Sequence, residues 1–397
     1  MAKLRLAVFN TQPPHLYFGG VERRIIEMAK RMRNEVETSV YSGTKAGFAK
    51  PARMDGIEII PCFSTDSLFP VDNWFFNHTI SEAVNHVRAD IFEAHAVSGY
   101  GVQRTLRKQN LKKPFIQTVH GVLADEYLQA LQVDSRSLRD RLANLMMWRL
   151  SRLEAESAEK ADLVVTISNY SSKRLVQLYT VDKSKIRIVP NGVDPELFRP
   201  SPDRETLKRR IGVSNRPVVL FVGRLIPRKG LSYLVEAARV IVRERRDTVF
   251  LIVGNGPLRD KLIKDVRKAG LLESFVMLGD AREALLPALY NCADIFALPS
   301  IQEGQGIALL EAQASGKPVV AFNTGGIREA LIDQETGLLT EPNSRNLADS
   351  VLKLLSDKSL REKMGRNGRK FVTVKFSWEI CARKMLEVYR EAKELLR

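Results

Sequence analysis

Residues 303–311 read Glu303-Gly304-Gln305-Gly306-Ile307-Ala308-Leu309-Leu310-Glu311, two carboxylates eight positions apart across a glycine-rich turn. The preceding Ala293-Asp294-Ile295-Phe296-Ala297-Leu298-Pro299-Ser300 has the apolar character of a buried strand and stops at a proline. The run from Ile307 to Ala314 is rich in good helix formers. Strand, glycine turn and helix in that order put Glu303 in a loop at the carboxyl edge of a sheet and Glu311 about one turn into the helix, where the first amides can hold an anion. A carboxylate only accepts hydrogen bonds, so a pair so spaced suits a polyhydroxylated ligand, and Gly304 and Gly306 let the backbone approach it closely. Glutamates near a helix start are also favoured by the macrodipole with no ligand present, so the spacing by itself leaves both readings open.

Working outward, the same strand–turn–helix unit recurs along the chain. Leu4 to Phe9 leads through Gln12-Pro13-Pro14 and Gly19-Gly20 into the helical pattern Val21, Ile25, Met28, Ala29, Met32. Short apolar strands follow at 36–40, 57–60, 90–94, 115–119, 162–168 and 186–190, with helical segments between them. After Asn191-Gly192-Val193-Asp194 the alternation restarts at 217–223, 248–253, 274–278, 294–298 and 318–322. Alternating β and α implies parallel, doubly wound sheets, and 397 residues exceed what one core usually organises. The expected division is 1–193 and 194–377, with a final amphipathic helix over 378–397. A long helical pattern over 136–160 carries Leu138, Leu142, Leu145, Met146, Leu150 and Leu153 on one stripe, which predicts packing against the first sheet.

Composition narrows the class. Charged residues at 27% and hydrophobic residues at 44% describe a soluble globular protein, and no apolar run reaches the length of a membrane span or a signal peptide, so a cytoplasmic protein is expected. Cys62, Cys292 and Cys381 form no C-x-x-C pair, which speaks against a disulfide framework or a zinc knuckle. The net charge of +16 attracts polyanions: nucleic acid, an anionic bilayer or phosphorylated substrates. No aromatic-rich RNA-binding signature accompanies the basic clusters, so no nucleic-acid partner is expected.

Residues 299–329 closely resemble the E-x7-E element of the retaining glycosyltransferases of family four. They hold the family's glutamate pair, its A-x-G-x-P-V-V strand at Ala314 to Val320 and its later G-G-x-x-E turn at Gly325 to Glu329. Gln305 departs from the aromatic residue usual there. The G-R-x-x-x-x-K-G pattern at Gly223 to Gly230, Gly254-Asn255-Gly256-Pro257, the hinge Asn191-Gly192-Val193-Asp194 and the Gly19-Gly20 loop are similar to the family's as well. The resemblance implies the GT-B fold, α/β with two Rossmann-like doubly wound domains facing a central cleft, the last helix returning to the first domain. It implies catalytic or cleft roles for Arg224, Lys229, Glu303 and His120. It implies donor contacts from Gly19, Gly20, Gly223, Asn255, Gly256, Gly304, Gly306, Ile307, Ala308 and Glu311. His120, which ends the strand 115–119, would lie beside the anomeric centre, although a single histidine there is also a common core residue.

By that resemblance the chain moves a hexosyl unit from a UDP-, GDP- or ADP-sugar to a glycan, lipid-linked or small-molecule acceptor, with retention. No D-x-D is present, which suits metal-independent chemistry by cationic side chains, and no cofactor is expected. A nucleotide-sugar epimerase of the same fold and a silent sugar-binding scaffold are the alternatives. Ser67 to Phe76 holds four aromatics, with Trp74, Phe75 and Phe76 together, which suggests a lipid-linked acceptor and a peripheral position on an anionic cytoplasmic leaflet; rings packed into their own domain would account for it equally.

Overall fold

The computed structural model describes residues 3–17, 19–44, 51–63, 71–131 and 138–395. The chain divides into two compact units, Met1–Asn191 with Trp378–Arg397, and Gly192–Ser377.

Unit 1 is built on a sheet of eight strands among the described residues: β1 (Leu4–Asn10), β2 (Val36–Ser42), β3 (Ala52–Met54), β4 (Ile57–Pro61), β5 (Ile91–His95), β6 (Phe115–Val119), β7 (Leu163–Thr166) and β8 (Ile186–Ile188). The spatial order is β3-β4-β2-β1-β5-β6-β7-β8, parallel apart from the antiparallel β3–β4 pair. The inner strands β5 and β6 are buried along their whole length because helices cover both faces of a parallel sheet, so their polar residues Glu93, His95, Gln117 and Thr118 are enclosed as well. The order of connection reverses between β1 and β5. The loops after those strands diverge there, and doubly wound sheets bind ligands at such a point.

Unit 2 has six parallel strands among the described residues: β9 (Val218–Val222), β10 (Val249–Val253), β11 (Phe275–Gly279), β12 (Ile295–Leu298), β13 (Val319–Phe322) and β14 (Gly337–Thr340), ordered β11-β10-β9-β12-β13-β14. Its reversal falls between β9 and β12, the two strands that feed the Gly223–Gly230 and Glu303–Glu311 motifs. Two Rossmann-like units with this topology are the GT-B architecture.

The helix Trp378–Glu394 belongs to unit 1. It buries Trp378, Cys381, Met385, Val388 and Tyr389 in the same core as Leu6, Val8, Ile25 and Met28. All three cysteines are free and buried. No helix among the described residues is long and apolar enough to cross a membrane.

Two expectations need correction. The helix Leu138–Glu159 turns only part of its leucine stripe inward: Leu150 is buried, with Ser151, Glu154, Ser157 and Ala158 beside it, whereas Leu142 is 59% and Leu145 48% exposed. Small side chains let the helix sit close to the neighbouring helices Leu123–Leu131 and Gly99–Lys108, and that close fit decides the rotation. The aromatic segment is also not uniformly available to a ligand. Ser67 to Pro70 lie outside the described residues, and Val71–His86 is a helix whose Phe76, Ile80 and Val84 are buried at four-residue spacing. Phe76 is 0% exposed and belongs to the core with Phe9, Phe92 and Phe115, so it cannot serve an acceptor, while Trp74 is 51% exposed.

The three tryptophans, Trp74, Trp148 and Trp378, all lie in unit 1, so intrinsic fluorescence follows that unit alone. In urea titrations read this way, Phe76→Ala should destabilise unit 1 by about 3–5 kcal/mol through a core cavity. Trp74→Ala should change its stability by less than about 0.5 kcal/mol. Equal costs for the two would contradict the assignment of Phe76 to the core and Trp74 to the surface.

Candidate functional site

In unit 2 the loops after β9, β10 and β12 are stitched together by backbone contacts. Gly223 N–H donates to Val253 O at 3.0 Å, Leu225 N–H to Asn255 O at 2.8 Å, and Ile301 N–H to Arg228 O at 2.9 Å. Glycine makes the approach possible. Gly230 has φ 65°, and a Cβ there would lie 1.9 Å from Pro299 O. Gly325 has φ 53°, and a Cβ would lie 2.2 Å from Glu303 O, an oxygen that accepts a 2.9 Å bond from Gly326 N–H. The G-G-x-x-E turn thus holds the Glu303 backbone from behind.

Glu303 is only 9% exposed. Lys229 Nζ donates to its Oε2, and Arg228 Nη1 stands 3.6 Å from the same oxygen while also donating to Gln302 O at 3.3 Å. Burial acts against charge on Glu303, but Lys229 and then Arg228 outweigh it and hold the carboxyl below its usual range. Arg224 is exposed and makes no ion pair with a described residue. Asn255 is exposed, and its Oδ1 accepts from Gly256 N–H at 2.9 Å. Gly306, at φ 91°, starts the helix Ile307–Ala314, whose first amides belong to Ile307 and Ala308. Glu311, 3% exposed, accepts the Tyr290 hydroxyl at 2.7 Å. Tyr290 is a partner that no local pattern announces, because it sits 21 residues away on the helix Leu286–Cys292.

In unit 1 the reversal point gathers a second set of polar groups. Thr11 N–H donates to Ser98 Oγ at 2.9 Å and the Thr11 hydroxyl to Asn73 Oδ1 at 2.9 Å. Gly19 precedes the helix Gly20–Met32 without a side-chain cap. The buried Glu22 carboxyl occupies that turn, taking an Asn10 amide bond at 3.1 Å, and a Cβ on Gly19 would meet its Oε2 at 2.2 Å. A negative group beside those amides opposes a second anion at the same place. His120 follows β6, partly exposed, with its Nε2 2.8 Å from Nδ1 of the buried His95. Burial, then His95 and Arg24, hold the His120 ring well below its ordinary pKa, so it is neutral at pH 7.

Among the acceptor candidates, Trp74 stacks edge-on against Phe75 at 5.0 Å and lies 4.0 Å from the His78 ring. No cluster of three or more metal-ligating side chains occurs among the described residues.

A sequence model of Glycosyl transferases group 1 matches residues 203–371, and one of Glycosyltransferase Family 4 matches residues 18–197. The chain belongs to glycosyltransferase family four. An uncharacterized glycosyltransferase of Methanocaldococcus jannaschii is 29% identical over 77% of this chain and 76% of its own length. The GDP-mannose-dependent alpha-(1-6)-phosphatidylinositol monomannoside mannosyltransferase of Mycobacterium tuberculosis is 35% identical over 58% of this chain, an alignment that spans 62% of the relative's own length. Among solved structures, Anabaena HepE in complex with UDP and glucose has the same fold, with a TM-score of 0.77 at 22% identity, covering 98% of this chain and 100% of that one.

For this glycosyltransferase the Lys229–Glu303 pair predicts an acid-sensitive unit 2. A carboxyl held below its unfolded pKa of about 4.3 contributes stability above that value and loses it as the pH falls through the folded pKa. Calorimetry of the whole chain between about pH 6 and about pH 3 should therefore show a flatter acid limb for unit 2 in Glu303→Gln, from a lower starting stability at neutral pH. An acid limb as steep as the parent's would argue that other carboxyls carry the effect.

Proposed function

We propose that this glycosyltransferase is a retaining, metal-independent hexosyltransferase that takes a nucleoside-diphosphate sugar as donor. The observation that carries the reading is the reversal point of unit 2, where an exposed Arg224, the Lys229–Glu303 pair and the helix start at Gly306 share one sheet edge. Arg224 grips the diphosphate by its fork and Lys229 acts as a point charge. Gly223, Asn255, Gly256 and Gly304 offer close backbone approach, and the amides of Ile307 and Ala308 face the donor. Glu303 orients sugar hydroxyls and Glu311 the ribose. The C1–O bond to the diphosphate breaks with its electron pair on the phosphate oxygen, and the sugar becomes oxocarbenium-like. The acceptor hydroxyl bonds to C1 on the same face, and its proton passes to the departing phosphate oxygen. Cations preorganised at that oxygen lower the barrier because the charge they meet develops only in the transition state. No carboxylate stands out as a nucleophile, which supports the same-face course.

A relative that uses GDP-mannose and a fold neighbour crystallised with UDP keep both bases in play. Purified protein should slowly hydrolyse one member of a panel of UDP-, GDP- and ADP-sugars. An epimerised nucleotide sugar would point to the epimerase, and no binding or turnover would point to a silent scaffold. Arg224→Ala and Lys229→Ala should each lower turnover by roughly a hundredfold, and Glu311→Ala should weaken donor binding more than chemistry. Normal kinetics in both cation variants would sink the diphosphate assignment.

Unit 1 is assigned the acceptor, lipid-linked and presented at an anionic cytoplasmic leaflet. Two surfaces support this: Trp74, and the face of Leu128, Leu131, Leu142, Leu145 and Trp148, where Arg149 and Arg152 are also exposed and Arg152 lies 5.2 Å over the Trp148 ring. Exposed apolar side chains and arginines together give the two signals stable leaflet binding needs, at about 1 kcal/mol per basic residue. The protein should sediment with anionic but not neutral vesicles at low salt, and Leu145→Glu or Trp74→Ala should weaken this. No vesicle binding at low salt would leave a soluble acceptor.

A further inference from the structure

A line of buried polar groups runs through unit 1 from the helix Trp378–Glu394 to His120. The Tyr389 hydroxyl donates to Glu93 Oε2, and the Thr118 hydroxyl donates to Glu93 Oε1 at 2.6 Å. That Oε1 stands 3.5 Å from Nε2 of His95, whose Nδ1 is 2.8 Å from His120 Nε2. The two rings stack with 5.1 Å between centroids. Glu93 is 3%, His95 2% and Tyr389 2% exposed, so water does not screen these contacts.

The order of protons along this line follows from its ends. Both oxygens of Glu93 accept hydroxyls, as in a carboxylate. Burial pushes the His95 pKa down to about 4 against the pull of Glu93, so at neutral pH its ring carries one N–H. That proton sits on Nε2, since a lone pair there would face the carboxylate oxygen. Nδ1 of His95 is then an acceptor, and the 2.8 Å contact is made by an N–H on His120 Nε2. A neutral His120 with its proton on Nε2 leaves Nδ1 as a lone pair, and no described residue hydrogen-bonds to that atom.

We propose that Glu93 and His95 are positioning residues that fix His120 in its Nε2–H tautomer, so that His120 presents only an acceptor, at Nδ1, to a sugar hydroxyl. The inference rests on the reading that His120 serves the transfer site. Its consequence is selectivity of a chemical kind: the ring can take a hydrogen bond from a hydroxyl but cannot donate one to a phosphate oxygen or a ring oxygen. Tyr389 anchors Glu93, which puts the setting of the tautomer under the control of the C-terminal helix.

The chain has five histidines, so long-range proton–nitrogen spectra of the full-length protein labelled with 15N-histidine are tractable, with His120→Gln and His95→Phe supplying the assignments. The parent at pH 7 should show both His95 and His120 as Nε2–H tautomers. In His95→Phe the His120 signals should move to a mixture of tautomers. Turnover of the nucleotide sugar should then fall about tenfold, the equivalent of one hydrogen bond, with KM little changed. An Nδ1–H tautomer or an imidazolium at His120 in the parent overturns the proposal, as does parental turnover in His95→Phe. If the tautomer is as expected but His120→Gln turns over donor at the parental rate, the transfer role of His120 falls and the proposal falls with it, the fixed tautomer remaining only as a structural fact.

Discussion

A carboxylate shielded from water has to be neutralised or give up its charge, and Glu303 is held to the first course by Lys229 and Arg228. That requirement orders much of unit 2. The two cations come from the loop after β9 and the carboxylate from the loop after β12, so the strands must be neighbours, and they are the pair at which the sheet reverses. The loops must also touch, which is why Gly230 and Gly325 occupy positions where a side chain would strike backbone oxygen. Charge pairing, strand order and glycine placement are one constraint seen at three scales.

Unit 1 also buries a polar set, drawn mostly from uncharged side chains. Its buried polar set is a relay of hydroxyls, imidazoles and the Glu93 carboxyl, with Arg24 fully enclosed and donating to Val189 O, Pro190 O and Asn191 Oδ1. A second buried pair, Glu154 with Tyr179, holds the start of the helix Leu123–Leu131 through Leu123 N–H and Ala124 N–H. Burial lifts the Glu154 carboxyl to about 7, so it is poised near neutrality in a place the sequence offers no sign of.

Parallel sheets are legible because strands covered on both faces must be apolar throughout, as with Val249–Val253 and Ile295–Leu298. The short edge strands Ala52–Met54 and Gly337–Thr340 escape that logic, being too brief to carry a pattern. Glu303 and Lys229 were legible because glycines and charges cluster locally around them. Tyr290 and Glu311, or His95 and His120, meet across 21 and 25 residues, and nothing in a linear string joins them. The Leu138–Glu159 helix misled for another reason: it has two faces that could be buried, and close approach of small residues won over the larger apolar stripe.

The helix Trp378–Glu394 fills the core of unit 1, yet it is synthesised after all of unit 2. Unit 2 is a continuous stretch and can close as soon as it leaves the ribosome, whereas the earlier residues must wait with Leu6, Ile25 and Met28 uncovered and Glu93 lacking its tyrosine partner. The first unit encoded is therefore the last completed. Nascent chains stalled before Trp378 would expose that unfinished core, and chaperone demand during translation should concentrate there rather than on unit 2.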